Sequence, residues 1–343
     1  MHKRTTFQVA ATYVGAVMGA GFASGQEIQQ FFVRFGRLGL VGIAVSALLF
    51  SFLGWVMIDL QERWRVANYT VFFEGLFGRR LGRTLDWLVS ALLLVGMVAM
   101  ISAGGALFYE FFGQPRWLGV VLTAGLMVLA LWFKGEGVLW INSALIPLKF
   151  LFCLGIGLAA AFLAHPGEGE GLPVYRSHLI NHWLLSSVLY VSFNLTLAMV
   201  VFASLGKEVR QTGARTGAAV GGMALGAFAG VIGAALLRFP EVNGLEIPMV
   251  AVAGKLGDWP AFFYAAVLWL ALATAAIGNA FSLTSRMVAT GRISYTAAMT
   301  LLVGVSLAFA GVKFSSFVGL VYPLFGYIGL VVLPTLIYRW RKS

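Results

Sequence analysis

The sequence predicts an all-α integral membrane protein, and two observations carry this prediction. Hydrophobic residues make up 60% of the 343 positions and charged residues only 11%, whereas a soluble globular domain has about 25% charged residues. Apolar runs of about 20 residues, the length that crosses the hydrocarbon core of a bilayer, recur along the whole chain. Because this composition cannot form a water-exposed surface, we expect the functional site to lie within the membrane.

Ten apolar runs are long enough to be membrane-spanning helices. They are 7–31, 38–61, 84–113, 117–133, 138–164, 181–205, 214–238, 259–289, 294–312 and 315–338. Two further segments do not cross. Tyr69 to Arg83 mixes aromatic residues with arginines and predicts an amphipathic helix on the inner surface. The loop 240–258 holds an apolar stretch too short to span and predicts a lid or re-entrant cap on the outer face.

The basic residues are distributed unevenly between the two sides of this layout. With the N-terminus inside, sixteen of the 24 Lys and Arg residues fall on the inner side, seven on the outer side and one, Lys149, inside a span. The positive-inside rule therefore predicts a multi-pass protein of the cell membrane with both termini in the cytoplasm. The net charge of +11 is scattered through short loops, so we expect anionic membrane lipids as its partners and no nucleic acid.

Glycine is concentrated in the middle of the first span, at Gly15, Gly19, Gly21 and Gly25. Each glycine costs a helix about 1 kcal/mol relative to alanine. Close helix packing through Gly15 and Gly19 is one explanation for the first two. It accounts less well for the second pair and for the polar residues beside them, which are Ser24, Gln26 and Glu27. A broken helix whose backbone faces a polar ligand is the alternative. Glu27 then binds a solute amine or forms an outer gate, and its other interpretation is a solvated helix end.

The sixth span has a comparable weak point in Tyr190-Val-Ser-Phe-Asn-Leu-Thr196. Taken alone, Asn194 with its neighbouring hydroxyls is explained by hydrogen bonds between helices. Spans one and six, however, lead the two halves of a ten-helix chain. Interruptions at corresponding positions of two halves point to the binding site of a transporter, and we therefore predict breaks in both spans.

Three short motifs resemble those of a known family. Met18-Gly-Ala-Gly-Phe22 is similar to the first-helix glycine motif of the amino acid–polyamine–organocation (APC) superfamily, which has the LeuT fold. Asn142 to Lys149 resembles its fifth helix, and Tyr190 to Leu195 resembles its sixth. The stretch from Gly21 to Ile28 looks like the YkvI-like branch of membrane proteins. Asn194 departs from the pattern, because many relatives have glycine there.

The resemblance implies one transporter domain over 1–343, with inverted five-helix repeats at about 7–164 and 181–338 and broken helices 1 and 6. A solute carboxylate would meet backbone amides of Ala20 to Ala23, and its amine would meet carbonyls of Tyr190 to Phe193, with Phe193 as a gate. The predicted binding residues are Gly19, Ala20, Gly21, Phe22, Ala23, Ser24, Glu27, Tyr190, Ser192, Phe193 and Asn194.

Lys149 lies near the middle of the fifth span. A lysine at the bilayer centre costs at least about 2.5 kcal/mol on insertion scales, and one explanation is a structural pair with a carbonyl or carboxylate. In proton-coupled members of the resembling family, a fifth-helix lysine takes the place of a sodium ion. Thr274 is followed by Ala275, so a paired-hydroxyl sodium site is incomplete. We therefore expect Lys149 to couple transport to protons.

Together these features predict a proton-coupled secondary transporter of a small-molecule solute, an amino acid or related amine. A ligand-sensing receptor on the same scaffold, a sodium-coupled transporter and a channel are the alternatives. An enzyme is disfavoured, because the sequence holds no phosphate loop, no Ser–His–acid set and no paired catalytic carboxylates; no cofactor or metal is expected.

We interpret Glu110 and Asp59 as interfacial residues. Tyr109, Tyr322 and Tyr327 are candidates for lining the cavity, but aromatic residues near helix ends are usually belt or packing residues, and we interpret them so.

Cysteine labelling of intact cells tests the predicted topology. A cysteine placed at Glu168 or Asn243 is expected to react with an impermeant thiol reagent, because both positions lie outside. One placed at Arg79 or Arg210 is expected to stay unlabelled until the membrane is permeabilised. Labelling of the Arg79 variant in sealed cells would overturn the layout.

Overall fold

The described part of the chain consists of helices and short connections. The computed structural model describes residues 2–66, 69–133, 138–162, 177–204, 211–289, 291–309 and 311–343, and no β-strand occurs among them. Six helices in these ranges are long and apolar enough to cross a membrane, and three shorter apolar helices accompany them. The chain is therefore a multi-pass membrane protein, while the count of ten spans stays a prediction.

The first span is divided into three pieces, as the glycines predict. Helix α1 ends at Val17 (His2–Val17). The backbone is extended at Gly19, with φ −69° and ψ −179°. A short helix α2 (Ala20–Ala23) follows, and α3 (Gln26–Phe31) begins after Gly25. Gly25 has φ 84°, a left-handed conformation that glycine adopts without steric cost. The predicted break in helix 1 is therefore present.

The remaining helices follow in chain order. They are α4 (Arg37–Arg63), α5 (Tyr69–Glu110), α6 (Arg116–Trp132), α7 (Val138–Phe162), α8 (Trp183–Ser204), α9 (Ala214–Arg238), α10 (Pro248–Gly254), α11 (Asp258–Ala289), α12 (Tyr295–Ala308), α13 (Phe314–Ser316), α14 (Tyr322–Gly329) and α15 (Val332–Lys342). A π-helical turn, Phe317–Val321, connects α13 to α14. Short 3-10 turns precede α4 and α10, at Val33–Phe35 and Pro240–Val242.

The prediction of a broken sixth span is wrong. Helix α8 is continuous from Trp183 to Ser204. The amide of Asn194 donates to the carbonyl of Tyr190 at 3.0 Å, and the Thr196 hydroxyl donates to the carbonyl of Ser192 at 2.9 Å. These polar side chains bond one turn back on their own helix, so the backbone ladder does not need to open. Between Tyr190 and Thr196, the hydroxyl of Ser192 reaches the carbonyl of Gly326 in α14, and the hydroxyl of Tyr190 reaches Glu27 in α3.

The two segments predicted not to span are both helical. A kink at Gly78 (φ 79°, ψ 165°) separates the first part of α5 from the span that follows. Phe72, Phe73 and Leu76 in this part are at most 1% exposed. They pack into the protein, which corrects the prediction that they lie on the lipid surface. The short helix α10 is also largely buried, and the backbone amide of Met249 donates to the carbonyl of Ser24.

Side-chain clusters join helix ends that the predicted topology puts on the same side of the membrane. On the side of the N-terminus, the fully buried carboxylate of Asp59 pairs with Arg63 at 2.7 Å and with Arg215 at 2.8 Å. It also accepts a hydrogen bond from the Trp340 indole at 2.7 Å. Asp59 thus ties α4 to α9 and α15, rather than facing solvent as its interfacial interpretation predicted.

At the opposite end, Glu246 lies in the connection between α9 and α10. Its carboxylate pairs with Arg116 and accepts from the backbone amide of Phe314 at 2.6 Å. Glu110, at the end of α5, accepts from the backbone amides of Glu246 and Ile247 at 2.8 and 2.9 Å. The connection is therefore fastened to three helices, and the lid predicted for this region is closed.

Helices α4 and α9 approach closely through two of three evenly spaced glycines. A Cβ atom at Gly222 would lie 2.3 Å from the backbone nitrogen of Ser51, and one at Gly226 would lie 2.1 Å from the Cβ of Ala47. A Cβ at Gly230 would meet nothing within 4 Å. Close packing of small residues therefore explains Gly222 and Gly226 but not Gly230.

This difference provides a matched pair of variants. We expect Gly222→Ala to lower the free energy of unfolding by about 1–3 kcal/mol, because the added methyl group must displace the backbone of α4. Gly230→Ala should be neutral, or stabilising by up to about 1 kcal/mol through helix propensity. Thermal unfolding of both variants in one detergent measures the effect. Equal melting temperatures would contradict the close contact between α4 and α9.

Candidate functional site

A cavity of about 170 Å3 lies at the break in the first span. Helices α1 and α2 form one wall, with Ala16, Val17, Gly19, Ala20 and Gly21. The opposite walls come from α5, α8, α11 and α14, which surround the break. Non-helical backbone at membrane depth is tolerated only where protein covers it or where it lines a cavity, and the break in span one satisfies this condition.

The predicted binding residues divide between the cavity wall and the layer behind it. Six of them line the cavity: Gly19, Ala20, Gly21, Glu27, Phe193 and Asn194. The other five do not reach it, and these are Phe22, Ala23, Ser24, Tyr190 and Ser192. Some of the five still hold the site in place. The hydroxyl of Ser24 donates to the carbonyl of Gly21 at 2.7 Å, and Tyr190 donates to Glu27.

Glu27 is the only acidic residue among those that line the described cavity. Its side chain is 5% exposed. Atom Oε2 accepts a hydrogen bond from the Tyr190 hydroxyl at 3.3 Å, which is long for such a bond. Atom Oε1 lies against the backbone of Gly21, where an added Cβ would come within 2.4 Å of it. No described residue donates a hydrogen bond to Oε1 or forms an ion pair with Glu27.

Neighbouring helices hold the broken segment from behind. The Tyr264 hydroxyl of α11 donates to the carbonyl of Ala23 at 2.6 Å. The Cys153 sulfur of α7 lies 3.1 Å from the same hydroxyl. With the bond between Met249 and Ser24, two helices, α10 and α11, bond carbonyl groups that a continuous helix would satisfy internally. The backbone that faces the cavity is therefore fixed by specific contacts.

Two polar residues of the cavity wall were not assigned to the site from the sequence. Tyr322 was interpreted as a belt or packing residue, but its buried ring stacks on Phe193 with centroids 4.7 Å apart and 27° between planes. Asn279 lies in the apolar span α11 and faces the cavity. Its side-chain nitrogen rests against Gly96, where a Cβ would approach to 2.8 Å. A polar residue in the middle of a span was the available signal for Asn279.

The predicted coupling residue, Lys149, falls within α7, two positions after Pro147. Its side chain lies outside the described part of the structure. Its role in coupling therefore stays a prediction, and no contact of this lysine enters the description of the site.

The cavity is displaced toward the side of the membrane that holds the N-terminus. Ala16 and Val17 precede the break, while Leu197 and Asn279 lie in the later halves of helices that run back toward that side. Between the cavity and the opposite side stand Glu27, the ring of Tyr190 and the closed connection around Glu246. Access from the N-terminal side is thus the more direct route.

Comparison with known proteins places this geometry in context, although no family model matches the chain. The uncharacterized membrane protein YkvI of Bacillus subtilis is 29% identical over 336 residues, covering 98% of this chain and 96% of the relative. The uncharacterized protein YyaD of the same organism is 27% identical and covers 94% of each chain. The resemblance to YkvI-like proteins is therefore supported, while these relatives assign no solute.

Solved structures show the same fold. The inward-facing conformation of Mhp1 matches with a TM-score of 0.66 at 17% identity, covering 94% of this chain and 73% of that chain. Mhp1 in a closed conformation, described as a nucleobase-cation-symport-1 family transporter, matches with a TM-score of 0.55 over 91% of this chain and 74% of that chain, also at 17% identity.

A sodium-coupled sialic acid symporter matches with a TM-score of 0.57 at 16% identity, over 96% of this chain and 76% of its own. Mhp1 and this symporter both carry solutes across membranes, and none of these matches exceeds 25% identity. They show a shared LeuT-like transporter fold, without singling out the APC superfamily. The chain is a multi-pass membrane protein with the fold of secondary transporters.

Proposed function

We propose that this protein is a proton-coupled secondary transporter that moves an amino acid or related amine by alternating access. The cavity at the break in span one is the observation that carries the proposal. Six residues predicted from sequence to bind the solute meet there, together with Tyr322 and Asn279. The shared fold with secondary transporters supports the same function.

The volume of the cavity limits the size of the solute. A cavity of about 150 Å3 in a protein interior holds a molecule of the size of benzene, and this cavity measures about 170 Å3. A solute with about six to ten non-hydrogen atoms therefore fits without rearrangement of the walls. Amino acids and small amines have this size, whereas disaccharides and nucleotides are too large.

The side of the membrane toward which the cavity is displaced supports alternating access. The cavity is displaced toward the N-terminal side, and the TM-score is higher for the inward-facing form of Mhp1 than for its closed form. With the N-terminus in the cytoplasm, as the charge distribution predicts, this arrangement is inward-facing. Opening of the opposite side would require the contacts of Glu246 with Arg116 and Phe314 to separate.

Protons are the proposed coupling ion, and the surroundings of Thr274 support this choice over sodium. The hydroxyl of Thr274 donates within its own helix, to carbonyl oxygens of Leu270 and Ala271. The next residue, Ala275, has no hydroxyl. The pair of hydroxyl ligands that a sodium site would take from this helix is therefore absent, and Lys149 is the proposed site of protonation. A desolvated lysine exchanges protons near neutral pH.

Uptake by proteoliposomes tests transport and coupling together. We expect accumulation of the solute under an imposed pH gradient, with or without sodium, and loss of proton-driven accumulation in Lys149→Ala. Lys342→Ala, the same change near the C-terminus, should accumulate solute like the wild type. Uptake that needs sodium and ignores the pH gradient would overturn proton coupling. Saturable binding with no flux would favour the ligand-sensing receptor instead.

A pair of glycine variants tests whether the break is the binding site. We expect Gly21→Ala to weaken solute binding at least tenfold, because its methyl group must push the Glu27 carboxylate out of place. Gly125→Ala serves as the control, since a Cβ there meets nothing within 4 Å and α6 lies away from the cavity. Equilibrium binding to both purified variants measures the difference. Unchanged affinity in Gly21→Ala would move the site elsewhere.

A further inference from the structure

We propose that the solute is an organic cation, a small primary amine that carries no carboxylate. This inference rests on the proposed function and decides between the two solute classes that it leaves open. It departs from the sequence-based expectation that a solute carboxylate meets the backbone amides of Ala20 to Ala23. The observations behind it are the charge, the geometry and the aromatic content of the cavity.

The charge of the wall is the first observation. Glu27 is the only charged residue among those that line the described cavity, and the other polar wall residues are Asn194, Asn279 and Tyr322. No described arginine or lysine pairs with Glu27. A buried carboxylate requires a counter-charge or a proton, because desolvation of an unpaired ion is costly. A cationic solute supplies that counter-charge, while an anion would add a second uncompensated one.

The position of the carboxylate is the second observation. Oε1 of Glu27 covers the backbone face of Gly21, at the centre of the segment where a solute carboxylate was expected to bind. A zwitterion oriented in that way would bring two carboxylates together in a site with no described cation between them. Like charges at close range in a poorly solvated site repel. The ammonium group of an amine is instead attracted to the carboxylate of Glu27. Oε1 has no described hydrogen-bond donor, so it is free to accept a hydrogen bond from the ammonium group.

The rest of the wall suits the hydrocarbon part of such a molecule. Phe193 and Tyr322 present a stacked pair of rings beside the cavity, and aromatic faces attract alkylammonium groups. Leu92, Leu93 and Met100 contribute an apolar surface on the side of α5. A bare inorganic ion fits poorly, because Ca2+ takes six to eight oxygen ligands and the side chains of the described wall offer one carboxylate, two amides and one phenol hydroxyl.

Matched sets of compounds test the inference on the purified full-length protein. Each set keeps one side chain and varies the ammonium and carboxylate groups: 3-methylbutylamine, leucine and 4-methylpentanoate; ethylamine, alanine and propionate; isobutylamine, valine and 3-methylbutanoate. Ligand-induced thermal stabilisation at pH 7 reports binding, since stabilisation grows with the ratio of ligand concentration to Kd. We expect at least one amine to bind at least tenfold more tightly than the amino acid and the acid of its set.

A pair of carboxyl variants links the preference to Glu27. Glu27→Gln should remove the advantage of the amine, whereas Glu74→Gln, the same change in the first part of α5, should retain it. If Glu27→Gln does not fold, the wild-type comparison alone decides. An amino acid or acid that binds as tightly as its amine overturns the inference and leaves transport intact. No binding across all three sets also overturns it, and the uptake assay then shows whether the proposed transport fails as well.

Discussion

The interruption of the first span inside the membrane is the constraint on which the rest of the structure depends. Backbone groups released between Val17 and Gln26 cannot face lipid, so they must be bonded by protein or face a cavity. Tyr264, Met249 and Ser24 take up several of them. Gly19, Ala20 and Gly21 of the same segment line a cavity, and the Glu27 carboxylate lies over Gly21. A cavity at this depth is thus a consequence of the local glycine sequence.

The surrounding helices keep that arrangement by close contact and by clusters of charge at their ends. Gly222 and Gly226 let α4 and α9 approach at backbone distance. Asp59 joins three helix ends on the N-terminal side, while Glu246 and Glu110 fasten the connection before α10 on the other. The two clusters differ in one respect that bears on transport. The cluster around Glu246 lies between the cavity and the opposite side, so the proposed alternating access would require it to separate.

The sequence predicts the break in span one, because four glycines beside polar residues have few structural explanations in a membrane helix. It wrongly predicts a break in span six, since Asn194 and Thr196 bond either to a ligand or to their own helix, and composition does not distinguish these states. Tyr322 was assigned to packing because tyrosine near a helix end usually lies in an aromatic belt. Its contact with Phe193 joins residues far apart in the chain, which no local pattern reveals.

The central claim is that the break in span one holds the solute, and a structure of the protein with its transported solute tests it most directly. The account predicts density for the solute between Gly19 and Phe193, with its amine within hydrogen-bond distance of the Glu27 carboxylate. It also predicts that Asn279 and Tyr322 contact the same molecule. A solute bound outside this cavity, with Glu27 paired to a basic side chain of the protein, would contradict the claim.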